Sequence, residues 1–401
     1  MKDVMFLVHR IPYPPNKGDK IRSYNILKKL SETYNVHLGA FVDQEEDLKY
    51  KDKVGEFCAS YKIIKINKIK SRIKSLLGVI NSKSFTKTYY ENKQFQDWVD
   101  STANKYKIKD VLVFSSSMAQ FVEHSSHEFS NKLIDFVDVD SEKWKQYGEG
   151  KFSFQKFLYR REYKLLSQYE RNIAKQFDIS IFVSEQEKNI FLKNNDDLSN
   201  KIIFIENGVS EEFLHAELHK LDNPYSKDEK VLVFTGAMDY RANVDAVTWF
   251  VNDILPKVLE SFPSVMFYIV GSNPVSEVKK LASSPNIVVT GFVDDIRPYI
   301  SYSSAAIAPL RIARGIQNKV LEAMALGKSV VATKAAMEGI SIPDSISDFV
   351  VDEPRNFADK VINLLNKGDQ VQCDSSIKNV VLENYKWSTN LHKFINILEE
   401  A

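Results

Sequence analysis

Residues 305–333 read AAIAPLRIARGIQNKVLEAMALGKSVVAT, and the fold is decided there. Residues 305–310 are a short, almost wholly apolar run, which suits a strand buried on both faces of a parallel sheet. Residues 311–315 are a polar loop ending in Gly315. Over 316–326 the apolar residues Val320, Leu321, Met324 and Ala325 form one helical stripe, and Gly327 stands where a helix C-terminal glycine belongs. Residues 329–333 read as strand again. This is a βαβ unit whose loop ends at a helix N-terminus, where free N–H groups and the helix dipole suit phosphate. Lys319 lies one turn in, and Glu322 one turn further along the same face. A cation for a diphosphate and a carboxylate for sugar hydroxyls would be well placed. A surface ion pair on an ordinary helix is an equal reading of the same two residues.

The same alternation extends outward. Residues 4–8 and 36–42 read as buried strands, with a Pro-rich loop at 11–20 and an amphipathic helix at 21–30 between them. That order implies a parallel sheet with right-handed crossovers. Gly18 closes the loop, either as a turn glycine or to let backbone approach a ligand. Further strands are expected at 111–115, 133–137, 179–183, 202–206, 231–234, 265–270 and 287–289. Long helices are expected at 152–177 and 379–398. Ser184 and Glu187 make a capping box. Residues 221–230, with Pro224 and a charge run, read as a linker. The chain is thus of the α/β class, built as successive α/β domains.

Composition sets limits. The 401 residues suggest two or three domains. Hydrophobic residues are 44% and charged residues 27%, ordinary for a globular protein. A net charge of +1 gives no global pull towards nucleic acid, so none is expected as a partner. Cys58 and Cys373 match no metal-ligand spacing and read as buried thiols in a reducing compartment. The first residues carry no secretory pattern, and no apolar run is long enough to span a membrane, so a cytoplasmic protein is expected.

Residues 61–90 are rich in lysine, contain no acidic residue and interleave isoleucines with the basic positions. An anionic membrane surface is one reading of such a basic amphipathic stretch. A strand and a helix with a solvated lysine face is the other. Asp138-Val139-Asp140 follows the strand at 133–137. A D-x-D triplet can hold a metal, yet acidic pairs at strand ends are also common.

Residues 305–333, together with IENGV (205–209), FTGAMDYRAN (234–243), FYIVG (267–271) and TGFVDD (290–295), resemble the donor-binding half of family-4 retaining glycosyltransferases. PYPPNKGDKIR (12–22) and DFVDVDSEKWKQY (135–147) are similar, more loosely, to the bacterial sugar transferases of exopolysaccharide clusters. The resemblance implies a GT-B fold, two Rossmann-like domains facing a cleft. Residues 1–205 would form the acceptor side, 206–384 would bind the nucleotide sugar, and a terminal helix near 385–401 would pack back on the first domain. It implies transfer of a sugar, of the hexosyltransferase type, to a glycan or lipid-linked acceptor in polysaccharide synthesis. No cofactor and no metal are then expected.

By the same resemblance, Lys319 and Arg241 would stabilise the departing diphosphate, and Asp138 stands where many members carry a His near the donor sugar. Glu322 would hold the ribose. Gly18, Gly236, Gly315, Ile316, Gln317 and Asn318 would line the donor. The family often has a second Glu eight positions before the retained one. Here that position is Arg314, which joins the donor-binding candidates. A peripheral position on the inner membrane face would suit a lipid-linked acceptor. Two further readings fit the same fold: a non-catalytic nucleotide-sugar-binding subunit, and a non-hydrolysing nucleotide-sugar epimerase.

Overall fold

The computed structural model describes residues 1–15, 17–77, 83–148, 154–214, 216, 220–226, 229–313, 315–340, 347–367 and 375–400. The chain divides into two compact units, Met1–Glu206 with Leu391–Ala401, and Asn207–Asn390. The first unit holds strands β1 (Lys2–Val8), β2 (Tyr34–Val42), β3 (Ser60–Lys65), β4 (Asp110–Phe114), β5 (Asn131–Val137), β6 (Ile179–Phe182) and β7 (Ile202–Phe204). They form one parallel sheet in the order β3-β2-β1-β4-β5-β6-β7. The central strands carry unbroken apolar runs, 4–8 in β1 and 111–114 in β4, as suits strands buried on both faces. Val4 to Val8 are completely buried in consequence.

The second unit holds β8 (Val231–Thr235), β9 (Met266–Val270), β10 (Ile287–Gly291), β11 (Ala305–Ala308) and β12 (Val330–Ala332), all parallel, in the order β10-β9-β8-β11-β12. The order reverses between β8 and β11. In such doubly wound sheets ligands bind outside the carboxyl ends of the strands, at that reversal.

Several expectations shift. The first helix runs Gly18–Ser31, so Gly18 is its opening residue and not part of the loop before it. The helix at 316–326 runs Asn318–Ala325, leaving Ile316 and Gln317 ahead of it. Gly327 does end it, with φ of 71° and its N–H bonded to the Met324 carbonyl. Residues 221–230 are not a linker between the units: Tyr225 is buried in the second unit, its hydroxyl donating to the Tyr299 carbonyl at 2.6 Å. The expected terminal helix is two helices, Ser375–Asn384 and Trp387–Glu400. The break comes from pairing: the Val209 N–H bonds the Tyr385 carbonyl at 2.7 Å. Gly208 fits there because any Cβ would lie 2.4 Å from the Trp387 nitrogen. Cys58 is only half-buried, although its surroundings push the thiol up to about 12. Cys373 lies outside the described residues. Among the described residues, no helix is long and apolar enough to cross a membrane.

Candidate functional site at the switch point of the second sheet

The carboxyl ends of β8, β9 and β10 lead into three glycines, Gly236, Gly271 and Gly291, each with positive φ. Two are forced by close approach. A Cβ on Gly271 would lie 1.8 Å from the Gly236 carbonyl oxygen. A Cβ on Gly236 would lie 2.7 Å from Asn243 Nδ2 and 3.2 Å from Lys319 Nζ. The glycines therefore strip side chains from this edge and let two helices converge over it.

Those helices are Arg241–Trp249, which follows β8, and Asn318–Ala325, which follows β11. They flank the switch point. The Lys319 ammonium joins them by donating to Asn243 Oδ1, while Asn243 Nδ2 donates to the Ala237 carbonyl at 2.9 Å. The ammonium also lies 4.3 Å from the Phe234 ring centroid, a cation–π contact. Below it, between Thr235, Ala306 and Ala323, is a cavity of about 10 Å³. That is room for a water at most, so a larger ligand meets Lys319 from the open edge.

Lys319 and Glu322 both feel burial more than each other. Burial pulls the Lys319 ammonium down to about 7, with Glu322 working the other way. Burial pushes the Glu322 carboxyl up to about 7, opposed by Lys319. Among the described residues neither charge has a counter-ion at bonding distance, and desolvation wins. Gly315 is left-handed at φ of 63°, and Gln317 precedes the helix without capping it through its side chain. The first-turn N–H groups consequently keep their affinity for an anion. The Asn318 side-chain oxygen is buried with no hydrogen-bond partner. Arg241 opens its helix, is exposed, and among the described residues has no side-chain partner. Arg314 lies outside the described residues.

The comparisons with known proteins agree with this geometry. Residues 229–367, which hold the whole switch point, match the family model described as glycosyl transferases group 1. These residues are a glycosyl transferases group 1 domain. A curated relative from Klebsiella pneumoniae, described as an uncharacterized 44.6 kDa protein in the cps region, is 22% identical over 88% of each chain. Among solved structures, a glycosyltransferase from Rickettsia africae aligns over 100% of this chain and 98% of its own, with TM-score 0.67 and 17% identity. The Anabaena protein HepE, solved with UDP and glucose, aligns over 100% of both chains with TM-score 0.63 and 14% identity. The fold is GT-B, as the resemblance in the sequence implies.

The remaining expected site residues lie on the first unit. Gly18 has no atom within 4 Å of a hypothetical Cβ, so packing makes no demand for glycine there. Asp138 follows β5, whose last residue, Val137, has a φ of 68°. Such a value is costly for a β-branched residue. The Val137 N–H is held by Asp135 Oδ1 at 3.1 Å, and Asp135 is itself held by buried Arg22 at 2.7 Å. Lys143 bridges Asp138 at 3.2 Å and Asp140 at 3.0 Å. Burial works against the Lys143 charge, but the two carboxylates outweigh it and its pKa lies above the ordinary value. The triplet is thus occupied by a lysine. Among the described residues, no group of three or more His, Cys, Asp or Glu could hold a metal ion.

Sequence reasoning missed Asn243, Phe234 and the pair Arg311–Asp245. Arg311 holds Asp245 through two hydrogen bonds and lies over Trp249. Asn243 lay within a quoted motif, yet its bond to Lys319 joins positions 76 apart and depends on the strand order.

Proposed function

We propose that this chain is a retaining glycosyltransferase, moving a sugar from a nucleotide-sugar donor to a glycan or lipid-linked acceptor in bacterial polysaccharide synthesis. The observation that carries the reading is the Lys319 ammonium, set by Asn243 at the switch point of a glycosyltransferase domain. The Anabaena neighbour solved with UDP-glucose supports a uridine diphosphate sugar as the first donor to try, and the cps-region relative supports the polysaccharide setting.

The chemistry follows from charge. Breaking a sugar–phosphate bond leaves growing negative charge on the diphosphate. Lys319, Arg241 and the N–H groups of Asn318 and Lys319 would stabilise that charge. A buried ammonium is worth more there than one in water. Glu322 would accept hydrogen bonds from the ribose. The acceptor hydroxyl would attack on the face the nucleotide leaves, so the configuration at the sugar carbon is kept. With cationic groups in place, no metal is assigned, and Lys143 rather than a cation serves Asp138 and Asp140. Gly18 and Asp138 enter as donor-side residues to be tested by substitution. A cytoplasmic site, where nucleotide sugars are available, suits this reading.

The test is release of UDP from UDP-sugars with and without a cps-type acceptor, in EDTA. Acceptor-dependent release that survives EDTA supports the proposal. Activity restored only by manganese would overturn the metal-free mechanism. Release independent of acceptor would point to an epimerase on the same fold.

A further inference from the structure

Among its described side chains, the helix Lys68–Leu77 turns its isoleucines outward and a serine inward. Its small polar side faces the protein: Ser75 is 7% exposed and its hydroxyl donates to the Phe85 carbonyl at 3.2 Å. Its isoleucines face outward, Ile69 at 73% and Ile73 at 54% exposure. A helix that served only to cover a core would show the opposite arrangement. Ile69 and Ile73 are one turn apart, so they form a single ridge.

Lys68, Lys70 and Arg72 flank that ridge, are exposed, and have no ion-pair partner among the described residues. Lys74 and Lys83 differ: Glu91 holds them at 3.0 Å each. The nearest acidic residue after the stretch is therefore taken by Lys74 and Lys83, and among the described residues Lys68, Lys70 and Arg72 have no ion-pair partner. A further exposed apolar residue lies on another helix of this unit. Phe157 is 53% exposed, one turn before Arg161, whose guanidinium donates to the Lys83 carbonyl at 3.2 Å. With a net charge of +1 the whole chain exerts little attraction, so any electrostatic recognition here is local.

We propose that this ridge docks the first unit on an anionic lipid bilayer, with Ile69 and Ile73 entering the headgroup boundary and Lys68, Lys70 and Arg72 meeting lipid phosphates. Apolar residues ringed by unpaired cations complement that surface in both respects. The placement has a consequence that rests on the transferase reading. The helix directly follows the carboxyl end of edge strand β3, and all carboxyl ends of a parallel sheet share one edge. The segments that lead to Gly18, at the start of the first helix, and to Asp138 leave from that edge, after β1 and β5. A lipid-linked acceptor would thus be delivered at the edge where this unit handles ligands.

The test is co-sedimentation of the full chain with vesicles of zwitterionic lipid, alone or mixed with anionic lipid, at low and high salt. The expected result is binding to anionic vesicles only, weakened by salt. Charge reversal at Lys68→Glu, Lys70→Glu and Arg72→Glu together should abolish it, at about fivefold in partition per cation removed. The pair Ile69→Ser and Ile73→Ser should lower partition at least tenfold while the circular dichroism stays unchanged. Both variants should keep wild-type stabilisation by UDP-glucose, so a failed vesicle assay is distinct from a failed transferase reading. Failure of the wild-type chain to bind, or variants that bind as well as it does, would overturn the proposal. So would an Ile69→Ser/Ile73→Ser variant that loses a dimer seen by light scattering, which would make the ridge a contact between copies of the chain.

Discussion

Lys319 gives its hydrogen bond to Asn243, on the helix across the switch point, and not to Glu322 on its own helix. Glu322 takes no hydrogen bond from any described side chain and acts on Lys319 only through its charge. The ammonium is thereby aimed and the carboxylate left available. Asn243→Ala should release the ammonium without removing it. A hydrogen bond to a charged group is worth about 1.5–3 kcal/mol, so turnover should fall about 10- to 100-fold. Asn243→Asp keeps an acceptor oxygen and should recover part of the loss. Steady-state kinetics of both variants check this; equal losses would mean that Asn243 acts only through packing.

Lys319→Ala and Glu322→Gln should fail in different ways. The first removes charge stabilisation that grows as the bond breaks, so turnover should fall by about 10²–10³ and donor affinity by less. The second keeps the shape but weakens the acceptor for ribose hydroxyls, so affinity should fall as well. Arg241→Ala should weaken donor binding with no change in melting temperature, because Arg241 has no partner to lose among the described residues. Near-normal turnover in a folded Lys319→Ala would remove the switch point as the site of chemistry.

The glycines separate packing from conformation. Gly271→Ala places a Cβ 1.8 Å from the Gly236 carbonyl and should prevent the second unit from folding. Gly291→Ala meets no atom within 4 Å and carries only the cost of a φ of 73°. That cost is about 1–2 kcal/mol. Melting curves of the two variants make the comparison. A stable Gly271→Ala would show that β8 and β9 have more room between their ends than the close approach implies.

What the sequence made legible and what it did not follow one physical line. Strands such as Val4–Val8 and the stripe Val320, Leu321, Met324 are local patterns, and they read correctly because burial imposes periodicity. Lys319 and Glu322 were visible for the same reason, as neighbours on one helical face. Asn243 was not, because its role arises from β8 and β11 being adjacent. The break at Tyr385 was invisible because Val209 imposes it from far along the chain. The start of the helix at Arg241 carries no sequence signal, because Tyr240, its N-cap, offers no capping side chain. In the basic stretch the sequence showed lysines and isoleucines, but only packing shows that Glu91 holds Lys74 and Lys83 and that Ile69 and Ile73 face out.

Proton linkage gives the most direct test of the pair. In the empty site burial draws Lys319 down to about 7 and Glu322 up to about 7. A neutral amine beside a carboxylic acid and an ammonium beside a carboxylate hold the same number of protons. A diphosphate favours the ammonium, and ribose hydroxyls favour the carboxylate. Donor binding to the wild-type chain should therefore move a proton within the pair and exchange little with buffer near neutral pH. Glu322→Gln removes the group that raises Lys319, so its ammonium should lie lower still in the empty site. Binding must then take up close to one proton. Affinity of that variant should rise as pH falls, by up to about tenfold per unit above the Lys319 pKa of the empty site. Lys319→Met leaves Glu322 without the charge that lowers it, and binding should instead release a proton, strengthening as pH rises. Titration calorimetry with UDP-glucose in two buffers of different ionisation enthalpy reads each proton count directly. Proton uptake near one in the wild-type chain would mean that Glu322 is ionised throughout and does not share its proton with Lys319.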